Sequence, residues 1–148
     1  DAHRPLQHPR ESPRYRNVNL SKGGMLWPRW DLVPSLMAEF ERREIKDCTP
    51  CRSGSALRAA EAIARVHGEF EAIHPFREGN GRLGRLLADL MSLQAGYPPL
   101  LFDDSREGRS RYLKAGGAAF GRDYRLLTDV VLEALRRAED LARKEGPA

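Results

Sequence analysis

Apolar residues recur along most of this chain every three or four positions, which is the spacing of one face of an α-helix. The first such run follows Asp31, which is placed to cap a helix, and Pro34 is tolerated in its first turn. The predicted buried face consists of Val33, Leu36, Met37 and Phe40. The pattern therefore predicts a first helix that ends near Lys46.

A second helix is predicted from Ser53 or Ser55 to the boundary of His74 and Pro75, because proline disfavours helical geometry in the residue before it. Its buried stripe consists of Ile63, Val66, Phe70 and Ile73. A third helix is predicted from about Gly81 to Ala95, with apolar residues on nearly all sides: Leu83, Leu86, Leu87, Leu90, Met91 and Leu93. This pattern predicts that the third helix is the central and most buried one.

Two further helices are predicted, a weaker one from about Ser105 to Ala118 and a final one around Asp123 to Lys144. The apolar face of the final helix consists of Leu127, Val131, Ala134, Ala138 and Leu141. Residues 15–27 instead alternate in polarity around Lys22-Gly23-Gly24, which predicts a short β-hairpin. We therefore expect an all-α helical bundle with one hairpin, formed by residues 15–148, after a poorly ordered segment of residues 1–14.

Composition narrows the classes of partner. The 148 residues suffice for one well-formed core, and the 25 basic residues exceed the 21 acidic ones. Such a surface suits anionic partners, but the charges are scattered and the sequence lacks the aromatic-basic interleaving typical of single-strand-binding proteins, which makes nucleic acid an unlikely partner. No apolar run approaches the roughly 20 residues that span a bilayer, so we expect a soluble domain without a membrane partner.

The two cysteines, Cys48 and Cys51, form a lone Cys-Thr-Pro-Cys in a predicted loop. A tetrahedral zinc site needs a second pair of ligands, and a thioredoxin-like site needs a βαβ context. The sequence offers neither, so the favoured interpretation is a pair of ordinary loop thiols.

Residues 74–85 carry the most informative pattern, since polar and glycine residues lie there between two strongly apolar helices. Gly79 and Gly81 let the backbone turn tightly and approach a ligand closely. The start of the following helix presents unpaired N–H groups and the positive end of the helix dipole. This combination predicts an anion-binding site.

The side chains around this turn supply the other groups that phosphoryl transfer requires, namely phosphate-binding arginines, a metal ligand and a base. Arg82 and Arg85 lie three positions apart on one helix face, where two guanidinium groups suit a polyphosphate. Glu78 would be repelled by such phosphates unless a cation, for which Mg²⁺ is suited, lay between them. Asn80 offers an amide donor for charge that develops on a phosphoryl oxygen, and His74 has a pKa suited to a general base.

Each of these features has an ordinary structural interpretation when it is taken alone. A glycine pair before a helix is common, surface arginines are usually solvated, and a histidine beside a proline is often a structural loop residue. It is the combination at this spacing that favours catalysis.

Residues 74–85 match the signature His-Pro-Phe-x-Asp/Glu-Gly-Asn-Gly-Arg-x-x-Arg at every specified position, so the chain resembles Fic domains. The resemblance runs from about Tyr15 to Leu135 and includes Tyr15-Arg16-Asn17-Val18, Met25-Leu26-Trp27-Pro28, Gly96-Tyr97-Pro98-Pro99 and Tyr112-Leu113. It implies a helical bundle of the Fic type with a hairpin flap. It also implies a protein adenylyltransferase that transfers AMP from Mg-ATP to a Tyr, Thr or Ser hydroxyl of a target protein.

The resemblance assigns roles residue by residue. His74 would be the general base, Phe76 a core anchor for the loop, and Glu78 the Mg²⁺ ligand. The anion hole around the α- and β-phosphates would be formed by Gly79, Asn80 and Gly81, while Arg82 and Arg85 would grip the β- and γ-phosphates. The flap that pairs with an extended target segment would consist of Leu20, Ser21, Lys22, Gly23, Gly24, Met25 and Leu26. An ordinary edge hairpin is the alternative interpretation of these seven residues.

Regulation and nucleotide choice are open at this point. Many Fic domains carry an inhibitory helix with the pattern Ser/Thr-x-x-x-Glu-Gly/Asn, and the nearest stretch, residues 141–146, has Leu141 at its first position. A plain helix C-terminus explains that stretch better. Restraint would then come from an upstream segment or a separate inhibitory partner, or be absent. Tyr112 is a candidate for the nucleotide base pocket.

Other activities of the same scaffold remain alternatives: use of another nucleotide, kinase-like chemistry, removal of AMP, or a non-catalytic binding or regulatory role. The intact His74 and Glu78 favour an enzyme, since degenerate domains usually lose the base or the metal ligand. The need for ATP makes the cytoplasm the default location, and export as an effector is left open.

Overall fold

The computed structural model describes residues 14–52 and 54–146. Its α-helices are α1 (Val33–Phe40), α2 (Lys46–Cys48), α3 (Ala56–Ile73), α4 (Asn80–Gln94), α5 (Arg106–Phe120) and α6 (Arg125–Glu145). A 3₁₀ turn (Trp30–Leu32) precedes α1, and a π-helical turn (Glu41–Ile45) joins α1 to α2. The strands β1 (Ser21–Lys22) and β2 (Met25–Leu26) pair in an antiparallel hairpin. The predicted helical bundle with one small hairpin is confirmed, while residues 1–13 of the predicted poorly ordered segment lie outside the described residues.

Helix α3 is the centre of the bundle, because it packs against α1, α4, α5 and α6. The predicted stripe is confirmed, since Ile63, Val66, Phe70 and Ile73 are all buried. Small residues on the same helix bring the neighbouring helices close to its axis. A Cβ added to Gly68 would lie 3.0 Å from the Cβ of Ala119 on α5 and 3.3 Å from Leu127 on α6.

The prediction that the third helix is the most buried one was wrong. Four leucines of α4 are exposed on its outer side: Leu83, Leu86, Leu90 and Leu93. The side that faces α3 is formed by Gly84, Ala88, Met91 and Ser92 instead. These mostly small residues allow α3 and α4 to pack closely. The leucine pattern predicts an apolar helix, but it does not indicate which side of that helix contacts a neighbour.

Serine side chains cap the starts of α3 and α5. The hydroxyl of Ser55 accepts a hydrogen bond from the N–H of Arg58, and Ser105 accepts one from Gly108. Ser55 is thus the cap of α3, whereas Ser53 lies outside the described residues. The predicted capping role of Asp31 was wrong, because this residue lies inside the 3₁₀ turn and its carboxylate pairs with Arg29 at 2.7 Å.

Helix α6 departs from the predicted apolar face only at its end. Leu127, Val131, Ala134 and Ala138 are buried as expected, but Leu141 is exposed. The last residues of the helix, 141–145, are exposed throughout, so this end extends beyond the packed body. Gly146 follows with a φ of 70°, a backbone conformation that glycine adopts far more easily than other residues.

Close packing at Gly68 gives a first testable expectation. Gly68→Val should lower the free energy of unfolding by about 1–3 kcal/mol, because its side chain would meet Ala119 and Leu127 in a packed interior. Gly117→Ala is the matched control on α5, where an added Cβ meets nothing within 4 Å. The control should stabilise the protein by about 0.5–1 kcal/mol, since alanine favours a helix over glycine. Urea unfolding curves measure both changes, and an equal effect of both would contradict the packing argument.

Candidate functional site

The site begins where α3 ends. His74 follows the last helical residue and adopts the left-handed conformation, with φ 52° and ψ 62°. A residue other than glycine in this region costs of order 1–3 kcal/mol and persists only where its surroundings hold it. Its N–H donates to the carbonyl of Phe70 at 3.0 Å. The residue that the sequence predicts as the base is therefore a strained residue that other parts of the structure must hold.

Arg16 supplies much of that support, although its side chain is a cation that is only 2% exposed. Its guanidinium donates to four main-chain carbonyls, those of Val18 (3.0 Å), Pro28 (2.6 Å), Ile73 (3.3 Å) and His74 (2.7 Å). Its own N–H donates to the carbonyl of Pro75 at 2.8 Å. Burial lowers the pKa of Arg16, but a cation at a helix C-terminus is also stabilised by the helix dipole. One side chain thus joins both arms of the hairpin to the end of α3.

Trp27 connects the hairpin to the imidazole directly. Its ring stacks on that of His74, with centroids 4.3 Å apart and planes at 29°. The indole N–H donates to the main-chain carbonyl of Glu71 at 3.1 Å, which fixes the orientation of the indole ring. One face of the imidazole is therefore covered by the second arm of the hairpin.

The imidazole of His74 is set up to be neutral. Burial lowers its pKa, Arg16 lowers it further by charge repulsion, and a hydrogen bond with the main chain of Glu71 opposes both. The Nδ1 atom lies 3.3 Å from that carbonyl oxygen, so Nδ1 carries the hydrogen and Nε2 keeps a free lone pair. A neutral imidazole with a free Nε2 can accept a proton.

The loop between α3 and α4 is held by Asn80. Its Oδ1 accepts from the N–H of Phe76 at 2.9 Å and its Nδ2 donates to the carbonyl of Phe76 at 2.8 Å. The side chain is 2% exposed, so it anchors the loop from inside. An amide nitrogen has a second hydrogen, so the predicted donation to a phosphoryl oxygen stays a prediction.

The start of α4 is open to a ligand. Gly79 turns the chain with a φ of 82°, and the helix begins at Asn80. The first N–H groups of a helix have no partner within it, and they carry the positive end of the dipole. A Cβ added to Gly81 would meet nothing within 4 Å, so the space beside this first turn is free. The helix start thus leaves room for an anion, and the anion site itself stays a prediction.

The remaining predicted residues lie around this helix start. Glu78, Arg82 and Arg85 are exposed, and a Cβ added to Gly79 would lie 3.6 Å from Nη2 of Arg82. Within residues 14–52 and 54–146, no three His, Cys, Asp or Glu side chains are grouped as a metal site. Arg85 also borders a cavity of about 530 Å³ between α5 and α6, which Tyr112 lines as well.

A smaller cavity of about 140 Å³, which we call the hairpin slot, lies between the hairpin and α5. Its walls include Met25 and Trp27 of the hairpin and Gly116 and Phe120 of α5. His67, Glu71 and Tyr112 contribute the polar part of its lining, and Nε2 of His67 lies 2.7 Å from the hydroxyl of Tyr112. Trp27 lines the slot and also stacks on His74, whereas His74 is not among the residues that line the slot.

The cysteine pair is separate from this site. Cys51 is buried and Cys48 half-buried, both as free thiols. Burial raises the pKa of both thiols, which disfavours the reactive thiolate. In the part of the chain that the structure describes, no helix is both long and apolar enough to cross a membrane.

Sequence reasoning assigned no role to Arg16, Trp27, His67 or Glu71. Arg16 and Trp27 belong to the segments that carry the resemblance, but their contacts with the end of α3 span more than 40 residues of sequence. Glu71 gave a usable signal, because residues three apart on a helix share a face and it lies three positions before His74.

Comparisons with known proteins bear on the family and the fold of the chain. A family model described as the Fic/DOC family matches residues 2–92. The proteins named "Protein adenylyltransferase Fic" from Drosophila sechellia and Drosophila melanogaster are each 29% identical over 133 residues, which is 90% of this chain and 26% of theirs. The chain therefore spans about a quarter of the length of these relatives.

Two solved structures share the fold. A Fic-domain signalling protein from Bacteroides thetaiotaomicron aligns with a TM-score of 0.72 and 21% identity, over 91% of this chain and 56% of that one. The BepC effector protein of Bartonella tribocorum, solved with bound AMPPNP, aligns with a TM-score of 0.65 and 21% identity, over 80% and 56% of the two chains.

The Arg16 contacts predict a large effect on stability. Arg16→Met should lower the free energy of unfolding by about 2–4 kcal/mol, because it removes the donors of several buried carbonyls. Arg14→Met, two residues earlier and exposed, should change it by less than about 0.5 kcal/mol. Urea unfolding measures both variants. A small effect of Arg16→Met would mean that the hairpin arms and the end of α3 hold together without it.

Proposed function

Since the chain belongs to the Fic/DOC family, we propose that it is a protein adenylyltransferase that transfers AMP from ATP to a Tyr, Thr or Ser hydroxyl of another protein. The observation that carries this proposal is the junction of α3 and α4, where a neutral imidazole precedes an open helix N-terminus by six residues. The names of the Drosophila relatives and the AMPPNP in the BepC structure support it.

The phosphates of ATP are proposed to bind at the start of α4. The N–H groups of Gly79, Asn80 and Gly81 and the helix dipole favour the α- and β-phosphates there. Arg82 and Arg85 are exposed next to it and can turn their guanidinium groups towards the β- and γ-phosphates. Both halves of the predicted anion site thus have a physical basis in this helix.

Glu78 is the proposed Mg²⁺ ligand. It is an exposed carboxylate on the loop that precedes the helix start, and one carboxylate suits Mg²⁺ when phosphate oxygens and water complete its shell. When bound there, the ion would neutralise phosphate charge and polarise the reacting phosphorus. A single carboxylate therefore suits a metal ion that binds together with the nucleotide. It is too few ligands for a metal ion that the protein would bind alone.

His74 is the proposed general base. Its side chain is 20% exposed, so an incoming hydroxyl can reach it. The hydroxyl O–H bond breaks as Nε2 takes the proton, and the oxygen forms a bond to the α-phosphorus. The bond from that phosphorus to the bridging oxygen breaks, and pyrophosphate leaves. A protonated His74 and an AMP ester on the target remain.

The hairpin is proposed to hold the target. Residues 21–26 are exposed, and strands of two residues each leave edge groups free to pair with an extended peptide. The arms are fixed against the imidazole by Trp27 and Arg16. A peptide paired with Leu20 to Leu26 would therefore lie near His74. Recognition through the peptide backbone would let targets of different sequence bind.

The hairpin slot is the proposed site of the nucleotide base. Its aromatic and apolar walls suit a planar ring, and Gly116 and Gly117 leave room for it, since a Cβ on either would meet nothing within 4 Å. Tyr112, the residue that the sequence singled out for this pocket, lines the slot with its hydroxyl paired to His67.

A labelling experiment tests the function. Incubated with Mg²⁺, a lysate as acceptor and ATP labelled at the α-phosphate, the protein should transfer label to protein, whereas ATP labelled at the γ-phosphate should give none. His74→Ala should lower transfer by about 10²–10⁴-fold, the usual range for loss of a general base, with nucleotide affinity little changed. Glu145→Gln, an exposed change at the end of α6, is the control and should behave as wild type.

The other activities give different results in the same experiment. Label from the γ-phosphate indicates kinase-like chemistry, and transfer from another α-labelled nucleotide but not from ATP indicates a different base preference. Loss of label from a pre-modified target indicates removal of AMP. A protein that binds no Mg-ATP and transfers no label is a binding domain.

The lowered pKa of His74 predicts how activity depends on pH. The base works when neutral, so kcat/KM should fall only as the pH drops through its pKa. Burial and Arg16 hold that pKa below the ordinary 6.5, so kcat/KM at pH 6.5 should still exceed half of its plateau and should decline further at lower pH. Initial rates from pH 5 to 8 measure this, and half-maximal kcat/KM above pH 6.5 would contradict the assignment.

A further inference from the structure

The carboxyl group of Glu71 lies behind the imidazole of His74. Its Oε2 is 3.7 Å from Nδ1 of His74, and the main-chain oxygen of the same residue is 3.3 Å from that nitrogen. Glu71 therefore faces the ring edge opposite the nitrogen that accepts the proton. The mechanism described above uses only its main-chain oxygen.

The second carboxyl oxygen of Glu71 is buried in an unusual way. Among the described residues, Oε1 has no hydrogen-bond partner. It lies against α4 at Gly84, where an added Cβ would overlap it, so glycine at this position makes room for the carboxyl. A buried carboxylate with an unused oxygen is costly unless a positive charge compensates it. Burial accordingly raises the pKa of Glu71, while Arg85 lowers it.

Among the charged and titratable groups near the carboxyl of Glu71, His74 is the one whose charge changes during the proposed reaction. Arg85 of α4 is exposed, so solvent screens its attraction for the carboxylate. Nε2 of His67 on α3 already pairs with Tyr112 of α5, and burial lowers the pKa of His67, which keeps it neutral. On the other side, Arg16 repels a positive charge on His74.

We propose that Glu71 is a positioning residue for His74. Its carboxylate holds the Nδ1–H side of the imidazole and compensates the positive charge that the imidazole gains during transfer. This inference rests on the proposed function. While the imidazole is neutral, the carboxylate attracts it weakly. Once Nε2 takes the proton, an opposite charge 3.7 Å away becomes favourable. An interaction that strengthens on the way to the transition state accelerates the reaction.

The proton balance of this step is simple. The target hydroxyl loses its proton to Nε2 of His74, while Nδ1 keeps its own hydrogen towards Glu71. The carboxylate takes up no proton, and its charge balances that of the imidazolium. Bond formation at the α-phosphorus and departure of pyrophosphate proceed as described for the transfer itself.

Glu71→Gln tests the proposal, because glutamine keeps the size of the side chain and removes its charge. We expect kcat to fall about tenfold or more. The acidic limb of kcat/KM should move to lower pH by about one unit, since the imidazolium loses its opposite charge. A purely structural role would lower the rate without this shift. Glu61→Gln, exposed on the same helix, is the matched control and should leave the rate and the pH profile unchanged.

A second measurement keeps this test separate from the proposed function. An NMR titration of the ring protons of His74, in the protein without nucleotide, should give a lower pKa in Glu71→Gln than in wild type. If no nucleotide transfer is found in any variant, the proposed function fails, while a pKa shift still supports the contact. An unchanged His74 pKa in a folded Glu71→Gln protein overturns the positioning role. A shifted pKa with a wild-type kcat overturns its part in catalysis.

Discussion

The site depends on a buried cation that pairs with no carboxylate in the part of the chain that the structure describes. Arg16 holds the carbonyl groups at the end of α3 and in both arms of the hairpin, and thereby supports the strained backbone of His74. Helix α3 alone would present its last carbonyls to solvent and leave the direction of the following loop undetermined. With Arg16 in place, the imidazole, the indole of Trp27 and the start of α4 acquire fixed relative positions.

A second constraint is the close approach of helices through small residues. Gly68 admits α5 and α6, and Gly84 admits the carboxyl of Glu71 between α3 and α4. Both lie within helices, where glycine costs about 0.5–1 kcal/mol relative to alanine. The cost is offset by packing at Gly68. At Gly84, replacement by alanine would displace the carboxyl of Glu71 from behind the proposed base. Gly68 thus serves helix packing, whereas Gly84 makes room for a charged side chain.

Much of the fold could be predicted from the sequence, because its signals are local. The apolar stripe of α3 and the serine caps of α3 and α5 depend on residues three or four positions apart. The burial of α4 could not be predicted in this way, since its leucines record an apolar surface whatever lies next to it. The loop of residues 74–85 was recognisable because its groups are contiguous. The support from Arg16 and Trp27 could not be recognised from the sequence, since these residues contact the end of α3 only in the folded chain.

The hairpin combines fixed arms with a free tip. Trp27 and Arg16 fasten the arms, whereas Gly23 and Gly24 at the tip have open space around them. Exposed tips of this kind tolerate insertions and changes at their exposed side chains, because no buried contact is lost. The positive φ of Gly23 and Gly24 favours glycine at those two positions. In evolutionary terms, the segment proposed to select the target can diverge in length and in its exposed side chains while the proposed base keeps its geometry. The same proposed catalytic junction can thus serve lineages whose targets differ.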